Sequence, residues 1–474
     1  MLLRHSTIYL LARGLPGVLS FVAIALYSRL LTPEGYGQYA LVIAAVGLAD
    51  VIGFQWLRLG VVRFLPAHDT RLQGFLSSAV AGFGLMAGVA LAIALAALPV
   101  VVNRGLVLFG AALLISSGLL SFLQDLARIQ LAPFRYGALA ISRGVLSLGL
   151  TVCLILAGFD VWGLLGGMVL GALVPALVAG GGVLSQLRLS AVTLPLLRLM
   201  FVYGAPLSAT LALTFVVDSS DRFMIAWLLD EAAVGRYSAG YHLAQASVGV
   251  LLSIINMAAY PLAVRALEEE GATAARSQLH QNLTALLALG LPAAIGFALL
   301  ADNIAAVVLG EAFRDEATRI MPVIALAVLL GGIKAFYFDL SFQLGRKTLV
   351  QVWVAAAAAT INLVGNMLLI PTLGTLGAAW ATLLAYGVAL LMSAFWGGRV
   401  FRLPAPGRDP TLIVVATLTM TAALWPFVAE HGPTWLMLQV GGGALVYGGA
   451  LVALNVAGLR GRLARQVSKL LRYT

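Results

Sequence analysis

Charge is scarce in this chain. Only 10% of its 474 residues are Asp, Glu, Lys or Arg, where a soluble domain carries about 25%. There is too little polar side chain for a hydrated shell, which excludes a soluble enzyme, a nucleic-acid binder and a disordered scaffold. Cysteine is scarcer still. Cys153 is the single one and lies inside an apolar run, so no intrachain disulfide can form. Long polar stretches are missing too: the longest outer connection, residues 302–319, leaves no room for an inserted soluble domain.

What is abundant is apolar. Hydrophobic residues make up 61% of the chain, and the mean hydropathy is +1.00. Apolar runs recur from end to end, and a run of about 20 residues spans the hydrocarbon core of a bilayer as a helix. Helix is the expected form because it satisfies its own backbone groups in lipid. The hydropathy pattern predicts an all-α integral membrane protein with 14 transmembrane helices, the first at 7–31 and the last at 434–457. The segment 7–31 is longer than a signal-peptide core and is expected to stay as the first span.

The charge distribution predicts the orientation. With the amino terminus and the loop after every second helix placed on one side, that side carries 19 Lys and Arg and the other four. The richer side is expected to be cytoplasmic, with both termini on it. Most of the formal charge of +10 is therefore a topology signal.

The chain repeats. Ser28-Arg-Leu-Leu-Thr-Pro-Glu-Gly-Tyr-Gly-Gln-Tyr39 aligns with Ala226-Trp-Leu-Leu-Asp-Glu-Ala-Ala-Val-Gly-Arg-Tyr237 at an offset of 198 residues. The Leu-Leu pair, Gly37 with Gly235, and Tyr39 with Tyr237 coincide, each in the short turn after the first helix of a half. An offset of six helices gives both copies one orientation, so two parallel six-helix lobes are expected, with substrate between them. The lobes would cover 1–198 and 199–400, followed by two appended helices and a basic cytoplasmic tail over 401–474. That tail, with leucines between its arginines, reads as a helix lying on anionic lipid. Gly14-Leu15-Pro16 and Gly204-Ala205-Pro206 mark candidate bends.

The turn Leu31-Thr-Pro-Glu-Gly-Tyr-Gly-Gln-Tyr-Ala40, after a first helix with Arg13-Gly14, resembles the polysaccharide-transport family of Wzx-type flippases. These belong to the multidrug/oligosaccharidyl-lipid/polysaccharide exporter superfamily. Asp221-Arg222-Phe-Met-Ile-Ala-Trp-Leu-Leu229 with Gly235-Arg-Tyr237, and Gly310-Glu-Ala-Phe313, are similar to later segments of that family. The resemblance implies a MATE-like pair of lobes and alternating access. It implies a flippase that carries polyprenyl-pyrophosphate-linked oligosaccharide from the inner to the outer leaflet of a bacterial cytoplasmic membrane. It also implies coupling to H+ or Na+ with no bound cofactor. The expected partners are the lipid-linked oligosaccharide, membrane lipids, and polysaccharide polymerase and assembly proteins.

Ionisable residues inside spans are costly and usually face protein or water. Arg29, Arg58, Asp125 and Asp339 lie near helix ends and are expected to snorkel. Arg13, Arg143 and Lys334 lie deeper, at similar depth, and suit a pyrophosphate: Arg clamps phosphate oxygens bidentately and Lys adds a point charge. Static pairing of these cations with Asp50 and Asp339 is the competing reading. Asp50, Asp218 and Asp221 are the candidates for ion coupling, since a carboxylate in a low-dielectric site holds a proton or helps to coordinate Na+. Asp218 and Arg222, four apart on one helix, are alternatively a simple pair. Asn362 and Asn366 share a helix face and are candidates for reading sugar hydroxyls, or for interhelical hydrogen bonding.

No Walker loop, His-Glu-x-x-His or Asp-rich metal cluster occurs, so the chain is expected to be no enzyme. The rival readings are a multidrug/cation antiporter of the same superfamily, which would favour acids in its cavity, and a non-transporting subunit of a polysaccharide synthase complex. A glycan polymerase or ligase would need a larger outer loop.

Overall fold

The structure is a computed structural model that describes residues 17–65, 72–130, 132–184, 188–405 and 407–461. Arg13, the Gly14-Leu15-Pro16 bend and the basic tail beyond Gly461 lie outside the described residues. Helix is the regular structure throughout: α1 (Gly17–Leu30), α2 (Pro33–Gly53), α3 (Gln55–Phe64), α4 (Leu72–Ala97), α5 (Arg104–Ile129), α6 (Pro133–Leu154), α7 (Asp160–Leu184), α8 (Leu194–Leu228) and α9 (Glu231–Ala244). There follow α10 (Val250–Glu269), α11 (Ala272–Leu299), α12 (Ala301–Val308), α13 (Glu311–Ile333), α14 (Leu340–Leu344), α15 (Leu349–Leu373), α16 (Thr375–Val400), α17 (Asp409–Leu424) and α18 (Pro433–Ala453).

Twelve stretches among the described residues are apolar and long enough to cross a membrane, and α1 is a shorter apolar helix before them. The chain is thus a multi-pass membrane protein. One of the twelve, 133–181, holds two of the fourteen expected spans, and the first expected span is described only from Gly17. The division at 133–181 falls at a π turn, Ile155–Phe159, where Gly158 takes φ 92° and Asp160 φ 46°. Glycine accepts that left-handed backbone without steric cost. Beyond the turn α7 runs back along α6. A methyl group on Gly163 would lie 2.9 Å from Leu154, one on Gly167 would strike Thr151, and one on Gly171 would strike Ser147. Glycine every fourth residue lets two backbones approach where lipid gives no hydrophobic drive. The hydroxyl of Thr151 then donates to Leu164 O at 3.2 Å.

The chain divides into two compact units, Met1–Ser238 and Ala239–Thr474. In the first, the two turns that align in sequence also touch. A Cβ on Gly37 would collide with the Glu231 carbonyl, and one on Gly235 with the Pro33 carbonyl. The contact is reciprocal at the sequence offset, since Pro33 and Glu231 are equivalent positions. Gln38 adds a hydrogen bond to Glu231 Oε2 at 2.8 Å. Helix α8 crosses α3 closely: Gly204 lies on the Trp56 carbonyl, and a Cβ on Gly60 would come within 2.6 Å of Met200. Pro206 sits inside α8, which runs unbroken to Leu228.

In the second unit, α17 and α18 are fastened by polar contacts. Tyr447 donates to Ala288 O at 2.7 Å. Asn303 donates to Gln439 Oε1 at 2.7 Å and accepts from Gly432 N at 2.8 Å. Gln439 in turn donates to Phe427 O at 2.6 Å. Each buried amide is satisfied, as burial requires.

Candidate functional site

The break between α2 and α3 builds the first site. Helix α2 ends at Gly53, and Phe54 N closes on Asp50 O at 2.8 Å before α3 resumes at Gln55. Phe54 is buried against Phe83, ring centroids 4.9 Å apart, and Phe83 meets Phe122. This aromatic anchor holds Asp50 in the last turn of one segment and Arg58 in the first turn of the next. Residues eight apart lie about 12 Å along a helix axis, so Arg58 reaches back: its Nη2 donates to Asp50 Oδ2 at 2.7 Å. The same guanidinium donates to Gln55 Oε1.

The second carboxylate oxygen of Asp50, Oδ1, is buried and has no hydrogen-bond partner among the described residues. It faces Gly118, where a methyl group would sit 3.7 Å away, and the rings of Phe54 and Phe83 flank the same space. Arg143 of α6 is partly buried and feels the charge of Asp50.

Beside the pair lies a cavity of about 300 Å³ between α3, α5 and the start of α6. Arg58, Gln55, Gln124, Asp125, Arg128 and Tyr136 supply its polar wall, with Ser121, Leu59 and Val62. Arg128 Nη2 pairs with Asp125 Oδ1 at 3.0 Å, the side chains 48% and 21% exposed. A half-exposed pair at this spacing contributes only about 0.2–0.5 kcal/mol. Two guanidiniums bring up to five N–H donors each, and two amides and two hydroxyls add to them against one lining carboxylate. Arginine side chains thus outnumber carboxylates in the wall.

The residues expected to snorkel thus give this site its charges. Arg58 and Asp125 both line the cavity. Gln55, Gln124 and Tyr136 attract no notice in the sequence, because what selects them is the adjacency of α3, α5 and α6.

Lys334 belongs to the second unit and to a different setting. The helix from α13 to α14 loosens into a π turn at Lys334–Phe338, closed by Asp339 N on Lys334 O at 2.9 Å. Lys334 Nζ pairs with Asp339 Oδ2 at 2.9 Å, the side chains 13% and 7% exposed. Ser393 of α16 donates to Asp339 Oδ1 at 2.7 Å. Asn362 and Asn366 are fully buried between α15 and α16. Asn366 donates to Asn362 Oδ1 and Asn362 to Thr382 Oγ1, both at 3.1 Å.

The α8 acids sit apart from the cavity wall. Asp221 is fully buried and accepts from Tyr237 Oη at 2.6 Å, and Tyr237 is the residue equivalent to Tyr39 in the repeat. Arg222 donates to the backbone carbonyl of Asp218 at 2.7 Å. Among the described residues no three His, Cys, Asp or Glu side chains gather to hold a metal ion.

The fold and the cavity define a class: a polytopic helical membrane protein with an arginine-lined pocket between its helices. A profile described as polysaccharide biosynthesis protein matches residues 26–318. The chain belongs to that family. Its fold is that of lipid flippases and MATE transporters. Lipid II flippase MurJ in an inward closed conformation superposes with TM-score 0.75 at 15% identity, over 94% of this chain and 98% of that one. An inward-facing multidrug-resistance MATE transporter of the MOP superfamily gives 0.65 at 13% identity, over 81% and 94%. A Vibrio cholerae MATE transporter gives 0.56 at 16% identity, over 84% and 98%. No curated protein sequence matches the chain.

Proposed function

We propose that the protein is a flippase that moves a polyprenyl-diphosphate-linked oligosaccharide from the inner to the outer leaflet of a bacterial cytoplasmic membrane, by alternating access. The observation that carries this reading is the arginine-lined cavity. Its wall offers donors in excess of acceptors, and Arg58 and Arg128 suit the oxygens of a diphosphate, which guanidinium binds bidentately. The helix ends around it carry Arg63, Arg128 and Arg135, the cations that mark a cytoplasmic face, so the pocket would meet lipid-linked substrate in the leaflet where it is assembled. Family membership and the likeness to a lipid flippase support the substrate class. An organic-cation antiporter would need the opposite wall.

In this reading Arg58 and Arg128 contact the diphosphate and Arg143 supports the site through Asp50; Arg13, outside the described residues, is proposed as a further substrate-binding cation on the sequence alone. Lys334 and the Asn362–Asn366 ladder hold helices of the second unit in place. Asp50 is the best-placed coupling acid, because one buried oxygen is free to take a proton or contact Na+. The transporter acts with a polysaccharide polymerase and assembly proteins that use the flipped product.

The test is the sidedness of lipid-linked glycan after deletion of the gene in its host. Accumulation of polyprenyl-diphosphate glycan on the cytoplasmic leaflet is expected, and mass analysis then identifies the sugar. Normal translocation with altered dye sensitivity would transfer the assignment to a drug antiporter.

A further inference from the structure

The cavity wall contains one acid, and its placement has a use. Arg58 is already neutralised by Asp50, which stands behind it outside the lining, in a pair held by the α2–α3 break. Among the described residues Arg128 is paired with Asp125 alone, three residues earlier on the same helix and itself part of the wall. Asp125 also lies within electrostatic reach of both Arg58 and Asp50. Its carboxylate therefore stands among the guanidiniums where an anion's oxygens would go. The pair it makes is the weakly held one: Arg128 is 48% exposed, whereas Arg58 is 13% exposed.

Resting on the diphosphate reading above, we infer that Asp125 is an internal counter-anion: it occupies the phosphate position of the empty pocket and is displaced when the diphosphate arrives. A carrier that returns empty would otherwise present uncompensated guanidiniums to a low-dielectric path, which is costly. Asp125 supplies the missing charge on the return and competes with the substrate at release. It lowers affinity so that the carrier turns over.

The experiment uses the full-length protein in nanodiscs of neutral lipid, titrated with inorganic pyrophosphate by calorimetry. Asp125→Asn keeps the shape and removes the charge. It is expected to bind pyrophosphate about tenfold tighter than the unaltered protein, since one nearby like charge has gone, and to turn over more slowly in a flipping assay. Asp125→Glu, which keeps the charge, is expected to bind like the unaltered protein. Equal or weaker binding by Asp125→Asn, with pyrophosphate binding otherwise present and abolished in folded Arg58→Ala/Asp50→Asn, overturns the counter-anion role and leaves the anion pocket standing. Absence of pyrophosphate binding in every form overturns both. A repeat with phosphatidylglycerol in the nanodiscs separates the sources of phosphate: a gain that vanishes there assigns the pocket to membrane headgroups and removes the substrate role of Asp125.

Discussion

Two acid–base pairs inside the membrane region look alike in sequence and differ in the structure. Asp50–Arg58 and Lys334–Asp339 each join residues of one interrupted helix, at 2.7 and 2.9 Å. Around Asp339 both carboxylate oxygens are used, one by Lys334 and one by Ser393. Around Asp50 one oxygen has no hydrogen-bond partner among the described residues, and Arg58 opens onto a cavity with a second arginine beyond it. In the proposed reading the pair whose carboxylate oxygens are both used acts as a staple. The one left partly unsatisfied beside open volume takes a ligand. Depth and residue type, which group Lys334 with Arg143 in the sequence, do not separate the two cases; satisfaction does.

The comparison breaks most sharply at Arg58. Arg58→Ala takes the ion-pair partner from Asp50, whose side chain is 22% exposed, a loss of about 1–3 kcal/mol, read as denaturant or thermal unfolding in detergent. Adding Asp50→Asn removes the orphan charge and should restore folding without restoring pyrophosphate binding. If that double variant bound pyrophosphate as the unaltered protein does, Arg58 would be a staple as well.

Lys334 is the converse case. Lys334→Ala should destabilise the fold by about 3–5 kcal/mol. The apolar swap of Lys334→Met with Asp339→Leu should recover it, because well-packed apolar groups replace a buried pair at little cost. This double variant is expected to bind pyrophosphate normally; loss of binding in a folded protein would return Lys334 to the anion site. Ser393→Ala is a finer probe, expected to cost about 1 kcal/mol by depriving Asp339 of one donor while leaving anion binding unchanged. The smallest effect belongs to Asp125→Asn, whose half-exposed pair with Arg128 should cost less than about 0.5 kcal/mol of stability. A large loss there would make Asp125 a structural residue.

Much of this fold is legible in the sequence. Run length gives the spans, and the register of the repeat finds Gly37 and Gly235, which meet reciprocally with Pro33 and Glu231. The Gly163, Gly167 and Gly171 spacing likewise marks where α7 lies on α6. The charge pairs are much less legible. Regular helix sets residues i and i+5 about 140° apart, at 3.6 residues per turn, so Lys334 and Asp339 share a face only because a π turn intervenes. Asp50 and Arg58 meet across a break at Phe54, a residue with no helix-breaking character of its own; tertiary packing on Phe83 fixes it. The cavity wall depends on which helices are neighbours, and no spacing within one helix carries that information. Hence Asp125, close to a helix end, reads as an interfacial residue and stands in the structure as part of the pocket.

The arginine-lined pocket is proposed to carry a diphosphate lipid across the membrane. The most direct test is translocation of a fluorescent polyprenyl-diphosphate saccharide in proteoliposomes, followed by quenching of the label still exposed outside, for the unaltered protein and for Arg128→Gln, which alters the pocket wall and leaves Asp50 in place. Translocation by the former and loss to the protein-free rate in the latter are expected. Equal rates in both would contradict a role for the pocket in carrying the lipid.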